Sequence, residues 1–189
     1  MIAQNNGIKM DSFFVPPFEL NEGEFIVLGL FGGSHFYESS MQLKDIFTGK
    51  SKNDNVIVNK PLTFVPHFME SNFRRLFYPI TVGDYLKKTA NKKSHFANKI
   101  YDGTYHYINS KTKIQTIPGG PRKLLSLFST LSHTKDIIFD LVGVDPHGAA
   151  QVFEIVKQNV KEGGSAILLD NFNSKEEDCT KYIEVEWLK

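Results

Sequence analysis

Two features able to support chemistry lie close together in the last part of the sequence. Gly119 and Gly120 precede a segment whose apolar residues recur at helical spacing. Asp140 follows the apolar run of residues 137–139, so its carboxylate is predicted at the carboxyl end of a buried strand. Ligands gather at that end of the strands in open α/β sheets. The pattern therefore predicts a binding edge that includes Asp140.

The elements that hold these residues follow from periodicity and turn chemistry. Pro121 is predicted at the first position of a helix with a continuous apolar face. Asp145 is predicted to cap a second helix, with Pro146 as its first residue. Residues 165–170 form another apolar run. The strand that ends at Asp140, the second helix and this run predict a parallel strand–helix–strand unit.

The rest of the chain predicts shorter elements around this unit. Residues 24–30 form a near-continuous apolar run, as expected for a strand buried on both faces. A weaker helix is predicted to end near Gly49. The first ten residues are expected to be frayed or a short edge strand, and residues 182–188 to form one closing strand. The predicted fold class is α/β, a mainly parallel sheet flanked by helices, with an antiparallel N-terminal portion.

Taken in order, these motifs resemble the ATP-binding subunits of ABC transporters. Gly119 and Gly120 lie where that family has its signature loop, Asp140 resembles the Walker B aspartate, and residues 144–146 resemble the D-loop. Further matches are residues 18–29 with the strands that lead to the phosphate loop, residues 64–67 with the Q-loop, and residues 80–86 with the helix start after it. The resemblance covers most of the chain. It implies a P-loop NTPase-like fold of the ABC type, in one domain over residues 1–189, with a reduced helical subdomain inserted at about residues 68–115.

The phosphate loop departs from the family pattern. A working loop needs glycines, a lysine for the phosphates and a hydroxyl for magnesium. In residues 29–37, His35 stands at the lysine and Phe36 at the hydroxyl; a second register, counted back from Gly49, supplies no lysine either. Lys50 and Ser51 follow Gly49, but this run is expected to follow a helix and not to open one. The remnant nucleotide site that the resemblance implies consists of Gly29, Gly32, Gly33, Ser34, His35, His67 and Asp140, with Gly119 and Gly120 as the remnant of the signature loop.

The other chemical positions depart as well. Leu141 replaces the glutamate that polarises the attacking water, and His67 replaces the Q-loop glutamine. Pro118 and Pro121 replace the serine and the glutamine of the signature loop. The position of the switch histidine falls on Asn171 or Phe172. Phosphoryl transfer depends on positioning and electrostatic stabilisation. We therefore expect no catalytic residues, no metal site and no required cofactor, with bound ATP and magnesium as the alternative.

Three functions remain open on this sequence. The first is a subunit without useful ATP hydrolysis that acts by assembly, as a homodimer or as a heterodimer with an intact ABC ATPase, with a membrane permease as a further partner. The second is a divergent but working ATP-binding subunit that uses backbone N–H groups and Lys50 or Arg122. The third is a stand-alone binding module on the same fold.

Composition narrows the class of protein. The chain has 189 residues and a single cysteine, Cys179, which excludes an internal disulfide and fits a reducing compartment. The first ten residues lack the pattern of a signal peptide, and no apolar run is long enough to span a bilayer. The expected location is the cytoplasm, with peripheral attachment to the inner face of the membrane as an alternative. The six histidines show no metal-ligand spacing.

The net charge of +1 conceals a basic stretch. Residues 74–123 contain eleven Lys or Arg and two acids, Asp84 and Asp102. This stretch is interpreted as a solvated face or as a contact surface for an acidic partner, anionic lipid headgroups or nucleic acid. Nucleic acid is not expected because few aromatic residues are interleaved as stacking platforms.

Overall fold

The structure, a computed structural model, describes residues 1–30, 35–102, 105–171 and 179–188. It contains two compact units. The first unit consists of Met1–Phe64, Lys135–Asp140 and Ile155–Lys189, and the second of Val65–Thr134 and Leu141–Glu154. The single domain over residues 1–189, with a reduced helical subdomain at about 68–115, stays a prediction.

The described residues form short strands and five α-helices. In chain order these are β1 (Ala3–Asn5), β2 (Ile8–Lys9), β3 (Phe13–Val15), β4 (Phe18–Leu20), β5 (Phe25–Gly29), α1 (Phe36–Phe47), β6 (Val56–Val58), β7 (Thr63–Phe64), α2 (Asn72–Phe77), α3 (Val82–Thr89), α4 (Gly119–Leu131), β8 (Asp136–Asp140), α5 (Pro146–Lys161), β9 (Ser165–Asp170), β10 (Lys181–Glu184) and β11 (Glu186–Trp187). Two 3₁₀ helices, His95–Tyr101 and Ile114–Thr116, lie between α3 and α4.

A parallel sheet of five strands forms the centre of the first unit, in the order β10-β5-β9-β8-β7. Each neighbouring pair in it is parallel. Every residue of β5, β8 and β9 is buried, which is why these strands are continuous apolar runs without alternation. The predicted α/β class with a mainly parallel sheet is confirmed.

Antiparallel strands complete the first unit, in two three-stranded sheets with orders β4-β1-β6 and β11-β3-β2, and all of them except β11 come from the N-terminal part of the chain. The prediction of frayed residues or a short edge strand was wrong for Ala3–Asn5, because β1 is the central strand of its sheet, but it is confirmed for Ile8–Lys9, because β2 is a two-residue edge strand. Ile2, Ala3 and Ile8 are at most 4% exposed. The predicted closing strand was also wrong: residues 181–184 pair in parallel with β5, whereas residues 186–187 pair with β3 in a different sheet.

Helices α2, α3 and α5 begin at polar capping residues in the second unit, whereas α4 begins at Pro118 without a side-chain cap. The Asp84 backbone N–H donates to Thr81 Oγ1 at 3.2 Å at the start of α3. The Gly148 backbone N–H donates to Asp145 Oδ1 at 2.9 Å, which confirms Asp145 as the cap of α5 with Pro146 as its first residue. Helix α4 begins two residues earlier than predicted, so Pro121 lies at its third position and not at its first.

The Gly49-Lys50-Ser51 run lies in the turn that ends α1, as expected. Gly49 adopts the left-handed conformation with φ of 73°. The backbone N–H groups of Lys50 and Ser51 donate to the Asp45 carbonyl at 2.8 and 3.0 Å. These bonds are typical of a helix C-terminus that ends on glycine. The run therefore does not form a phosphate loop.

Candidate functional site

The carboxyl ends of three parallel strands define a candidate site in the first unit. Gly29 at the end of β5 pairs with Asp170 at the end of β9, and Asp140 at the end of β8 pairs with Leu169. Strand β9 lies between the other two, so Gly29 and Asp140 are two strand spacings apart, about 10 Å. The chain continues from β5 towards the β7 edge and from β9 towards the β10 edge. The connections after these two neighbouring strands thus run in opposite directions, and ligands bind at such a reversal in sheets of this kind.

Two buried carboxylates lie at this edge. Asp140 and Asp170 are each 2% exposed. The sequence analysis identified Asp140 and missed Asp170. The signal was present, because residues 165–170 repeat the pattern of an apolar run that ends in aspartate. Buried carboxylates require hydrogen-bond donors or cations, so the sheet edge is held by polar interactions as well as by its apolar strands.

The start of α1 supplies the next two candidate positions. His35 precedes the helix, is exposed, and its ring centroid lies 6.3 Å from that of Trp187. Phe36 is 7% exposed and belongs to the apolar core of the first unit. These two positions therefore offer an imidazole and a core phenyl ring. Gly32, Gly33 and Ser34 lie outside the described residues, as does Phe172, one of the two positions of the switch histidine.

In the second unit, His67 and Gly119 line one cavity of about 230 Å³, together with Arg122, Lys123 and Ser126 among others. The structure thus brings His67 and Gly119 together. Arg122 Nη2 donates to the Ile117 carbonyl at 2.7 Å, and this side chain forms no ion pair with any described residue. Its Nε–H is buried and has no acceptor among the described residues.

Lys123 does not belong to a solvated basic face. It is 4% exposed, and its ammonium donates to the Val65 carbonyl at 3.2 Å. The interpretation of residues 74–123 as one solvated face is therefore wrong at this position. A lysine can extend its apolar stem along a helix and still reach a polar partner inside the protein.

Backbone packing accounts for the glycine pair. A Cβ atom on Gly119 would collide with the carbonyl oxygen of Gly143, and one on Gly120 would lie 2.9 Å from the Gly148 Cα. These contacts bring the backbones at the starts of α4 and α5 together. Gly119 and Gly120 are therefore required for packing within the second unit, whether or not a ligand binds there.

Asp145, next to this contact, serves the fold. The hydrogen bond from the Gly148 N–H holds the pKa of the Asp145 carboxyl below its ordinary value. The carboxylate is thus stabilised in its charged form at the start of α5, where the helix dipole also favours negative charge. Its observed partners make it a helix cap.

Among the described residues, no group of three or more His, Cys, Asp or Glu residues is placed to hold a metal ion. None of the described helices is both long enough and apolar enough to cross a membrane.

Solved structures show which fold this parallel sheet, with Gly29, Asp140 and Asp170 at its carboxyl edge, belongs to. An ATP-binding protein of an ABC transporter from Pyrococcus furiosus has a TM-score of 0.70 with 16% identity, over 96% of this chain and 96% of that one. CbiO1 from Clostridium perfringens, part of the ABC transporter complex CbiONQ, has a TM-score of 0.62 with 14% identity over 100% and 87%. A bacterial ABC transporter cassette solved as a dimer has a TM-score of 0.60 with 15% identity over 100% and 99%.

The chain thus has the fold of the ATP-binding subunits of ABC transporters. No protein-family model matches the sequence, and no curated protein matches it significantly in sequence. The predicted resemblance is confirmed at the level of the fold.

Proposed function

We propose that this chain is an ABC ATPase-like subunit without useful ATP hydrolysis that acts by assembly with a partner subunit. The observation that carries the proposal is the start of α1. The family motif needs a lysine and then a hydroxyl there. This chain has the exposed His35 beside Trp187, followed by Phe36 in the core.

The chemistry of these replacements supports a loss of hydrolysis. An imidazole lacks the reach of a lysine ammonium on its four-carbon stem, and a phenyl ring cannot ligate magnesium. Leu141 follows Asp140 and has no group that could polarise a water molecule. Since the reaction depends on placing positive charge against the phosphates, these losses together remove most of the expected rate enhancement.

A divergent but working ATP-binding subunit is the main alternative. Lys50 does not favour this alternative, because the candidate site at the sheet edge leads to the N-terminal end of α1, whereas Lys50 follows the C-terminal end of that helix. A helix of 12 residues is about 18 Å long, beyond the reach of a lysine side chain. Arg122 favours the divergent ATP-binding subunit, because its guanidinium has no ion pair among the described residues and this residue lines the same cavity as His67.

The partner in this proposal is a second ATPase-type subunit. One structural relative is a dimer and another belongs to a transporter complex. By analogy, this chain is proposed to pair with itself or with an intact ABC ATPase, and through that pair with a membrane permease. A stand-alone binding module on the same fold remains the other alternative.

Phosphate release from magnesium ATP tests the proposal. Phosphate release is measured for the purified chain alone and for the chain mixed with an intact ABC ATPase. The intact ATPase alone is the positive control. We expect no turnover by the chain itself, and complex formation detectable by size-exclusion chromatography. Turnover that the chain shows alone, and that Asp140→Asn abolishes, would contradict the loss of hydrolysis.

A further inference from the structure

Helix α2 in the second unit is exposed on all sides. None of its six residues is buried. The segment of residues 69–78 holds five of the eleven large hydrophobic side chains that are exposed among the described residues: Met69 at 87%, Phe73 at 66%, Leu76 at 75%, Phe77 at 59% and Tyr78 at 71%. We call these five residues, together with Arg74 and Arg75, the α2 patch.

Local interactions support this helix, together with a hydrogen bond from Gln115 Nε2 to the Arg75 carbonyl at 3.4 Å. The Arg74 backbone N–H donates to Ser71 Oγ at 3.4 Å, and the backbone N–H groups of Arg75 and Tyr78 bond to the preceding turn. The rings of Phe73 and Phe77, four residues apart, lie with centroids 5.1 Å from each other. Five large apolar side chains exposed within ten residues indicate a surface that another phase or molecule covers.

Positive charge accompanies the apolar side chains. Arg74 and Arg75 interrupt the apolar sequence of α2, and a groove of about 750 Å³ beside it is lined by Arg74, Lys88, Phe68 and Ile80 among others. Two neighbouring acids, Glu70 and Asp84, keep their negative charge, but the three cations Arg74, Arg75 and Lys88 outnumber them. Glu70 Oε1 accepts a hydrogen bond from the Ile80 N–H at 2.7 Å, and Asp84 Oδ2 accepts one from the Thr81 hydroxyl at 2.7 Å. The covering surface is therefore expected to be anionic.

We propose that the α2 patch binds the surface of an anionic phospholipid bilayer. The rings and the aliphatic side chains insert at the boundary between headgroups and acyl chains, while Arg74 and Arg75 contact lipid phosphates. Interleaved aromatic, aliphatic and cationic side chains on one protruding helix suit that boundary, where apolar insertion and attraction to anionic lipid add together. The inference does not depend on whether the chain hydrolyses ATP.

Vesicle sedimentation of the full chain tests the proposal, with phosphatidylcholine vesicles that either contain or lack phosphatidylserine. We expect binding to the phosphatidylserine vesicles that weakens as salt is raised. Phe73→Ser with Phe77→Ser should reduce this binding at least tenfold, since two half-exposed rings lose their insertion. Arg74→Ser with Arg75→Ser should reduce it about 25-fold, from about fivefold per cation near such a surface.

Matched controls separate the patch from general charge and apolarity. Ile57→Ser removes an apolar side chain that is 48% exposed in the first unit, and Lys50→Ser with Lys52→Ser removes two exposed cations there. Both controls should bind like the unchanged chain.

Absence of binding to phosphatidylserine vesicles would overturn the proposal, as would equal losses in patch and control variants. Binding of an acidic protein that the patch variants lose, with no vesicle binding, would assign the surface to a protein partner instead. Circular dichroism and thermal unfolding verify that the variants are folded.

Discussion

Single positions in this chain perform structural tasks where the sequence resemblance implies chemistry. Phe36 stands where the motif has a magnesium-binding hydroxyl and packs in the core of the first unit. Gly119 and Gly120 are predicted to be the remnant of the signature loop, and in the structure they let two backbones approach. A residue type retained for packing therefore looks the same in sequence as one retained for ligand binding.

The glycine at position 119 gives a prediction at this scale. Gly119→Ala should destabilise the second unit by about 3 kcal/mol, because the new Cβ meets a backbone carbonyl and the start of α4 must move. Gly143→Ala is the control: its φ of +72° makes alanine strained, but nothing lies within 4 Å, so the cost should be about 1 kcal/mol. Urea unfolding gives the loss of unfolding free energy for both variants. A larger loss for Gly143→Ala than for Gly119→Ala would contradict the prediction, because it would show that the backbone at Gly119 relieves the collision easily.

A second residue-scale prediction concerns pH. Burial raises the pKa of Glu24, but Lys181 and the Asn21 N–H outweigh it, so the pKa lies below its ordinary value. The Lys181 ammonium lies 2.9 Å from Glu24 Oε1, and the Asn21 N–H donates to Oε2 at 2.7 Å. A lowered folded-state pKa contributes stability that is present above the unfolded-state pKa and is lost as the pH falls through the folded-state pKa.

Glu24→Gln should therefore lower the free energy of unfolding by about 1 kcal/mol at neutral pH. The difference from the unchanged chain should shrink towards zero in acid, below the ordinary range of a glutamate. Glu184→Gln, at an exposed position of β10, should show no such difference. A gap between Glu24→Gln and the unchanged chain that stays constant down to strongly acidic pH would show that the carboxylate charge is not its source.

At the scale of elements, the sequence predicted those whose burial is uniform. Strands β5, β8 and β9 are buried on both faces and could be recognised as apolar runs. The first ten residues could not be read in this way, because β1 has polar residues at Gln4 and Asn5 and only three residues in all. Its central place depends on pairing with β4 and β6, which are far apart in the sequence. The interruption at Val185 between β10 and β11 could not be predicted for the same reason, since their partner strands, β5 and β3, belong to different sheets.

The central position of β1 gives the prediction for this scale. Ile2 precedes β1 and is 4% exposed, whereas Ile57 on β6 of the same sheet is 48% exposed. Ile2→Ala should cost about 3 kcal/mol, from the lost transfer energy and the cavity left behind. Ile57→Ala should change stability by less than about 0.5 kcal/mol. Equal effects in chemical unfolding would mean that the N-terminal segment is frayed, as its sequence alone suggested.

For the whole molecule, the sequence predicted more of the fold than of the site. The order of the motifs was enough to predict the α/β sheet and the ABC-type fold, because topology is shared even at 13–17% identity. The site was predicted through Gly29 and Asp140 but without Asp170, whose place beside Gly29 depends on strand register. The burial of Lys123 also depends on tertiary packing, which no local pattern reports.

Nucleotide linkage then tests the function of the molecule as a whole. A ligand present at about 100 times its dissociation constant stabilises the folded state by about 2.7 kcal/mol. For a chain of this length, each 1 kcal/mol raises Tm by about 2–4 °C, so a working site should shift Tm by about 5–11 °C. We expect millimolar magnesium ATP to shift Tm by no more than sodium sulfate at the same ionic strength, whereas an intact ABC ATPase shows the full shift. A shift of several degrees that is specific to ATP and absent in Asp140→Asn would establish nucleotide binding, and the divergent ATP-binding subunit would then replace the proposal made above.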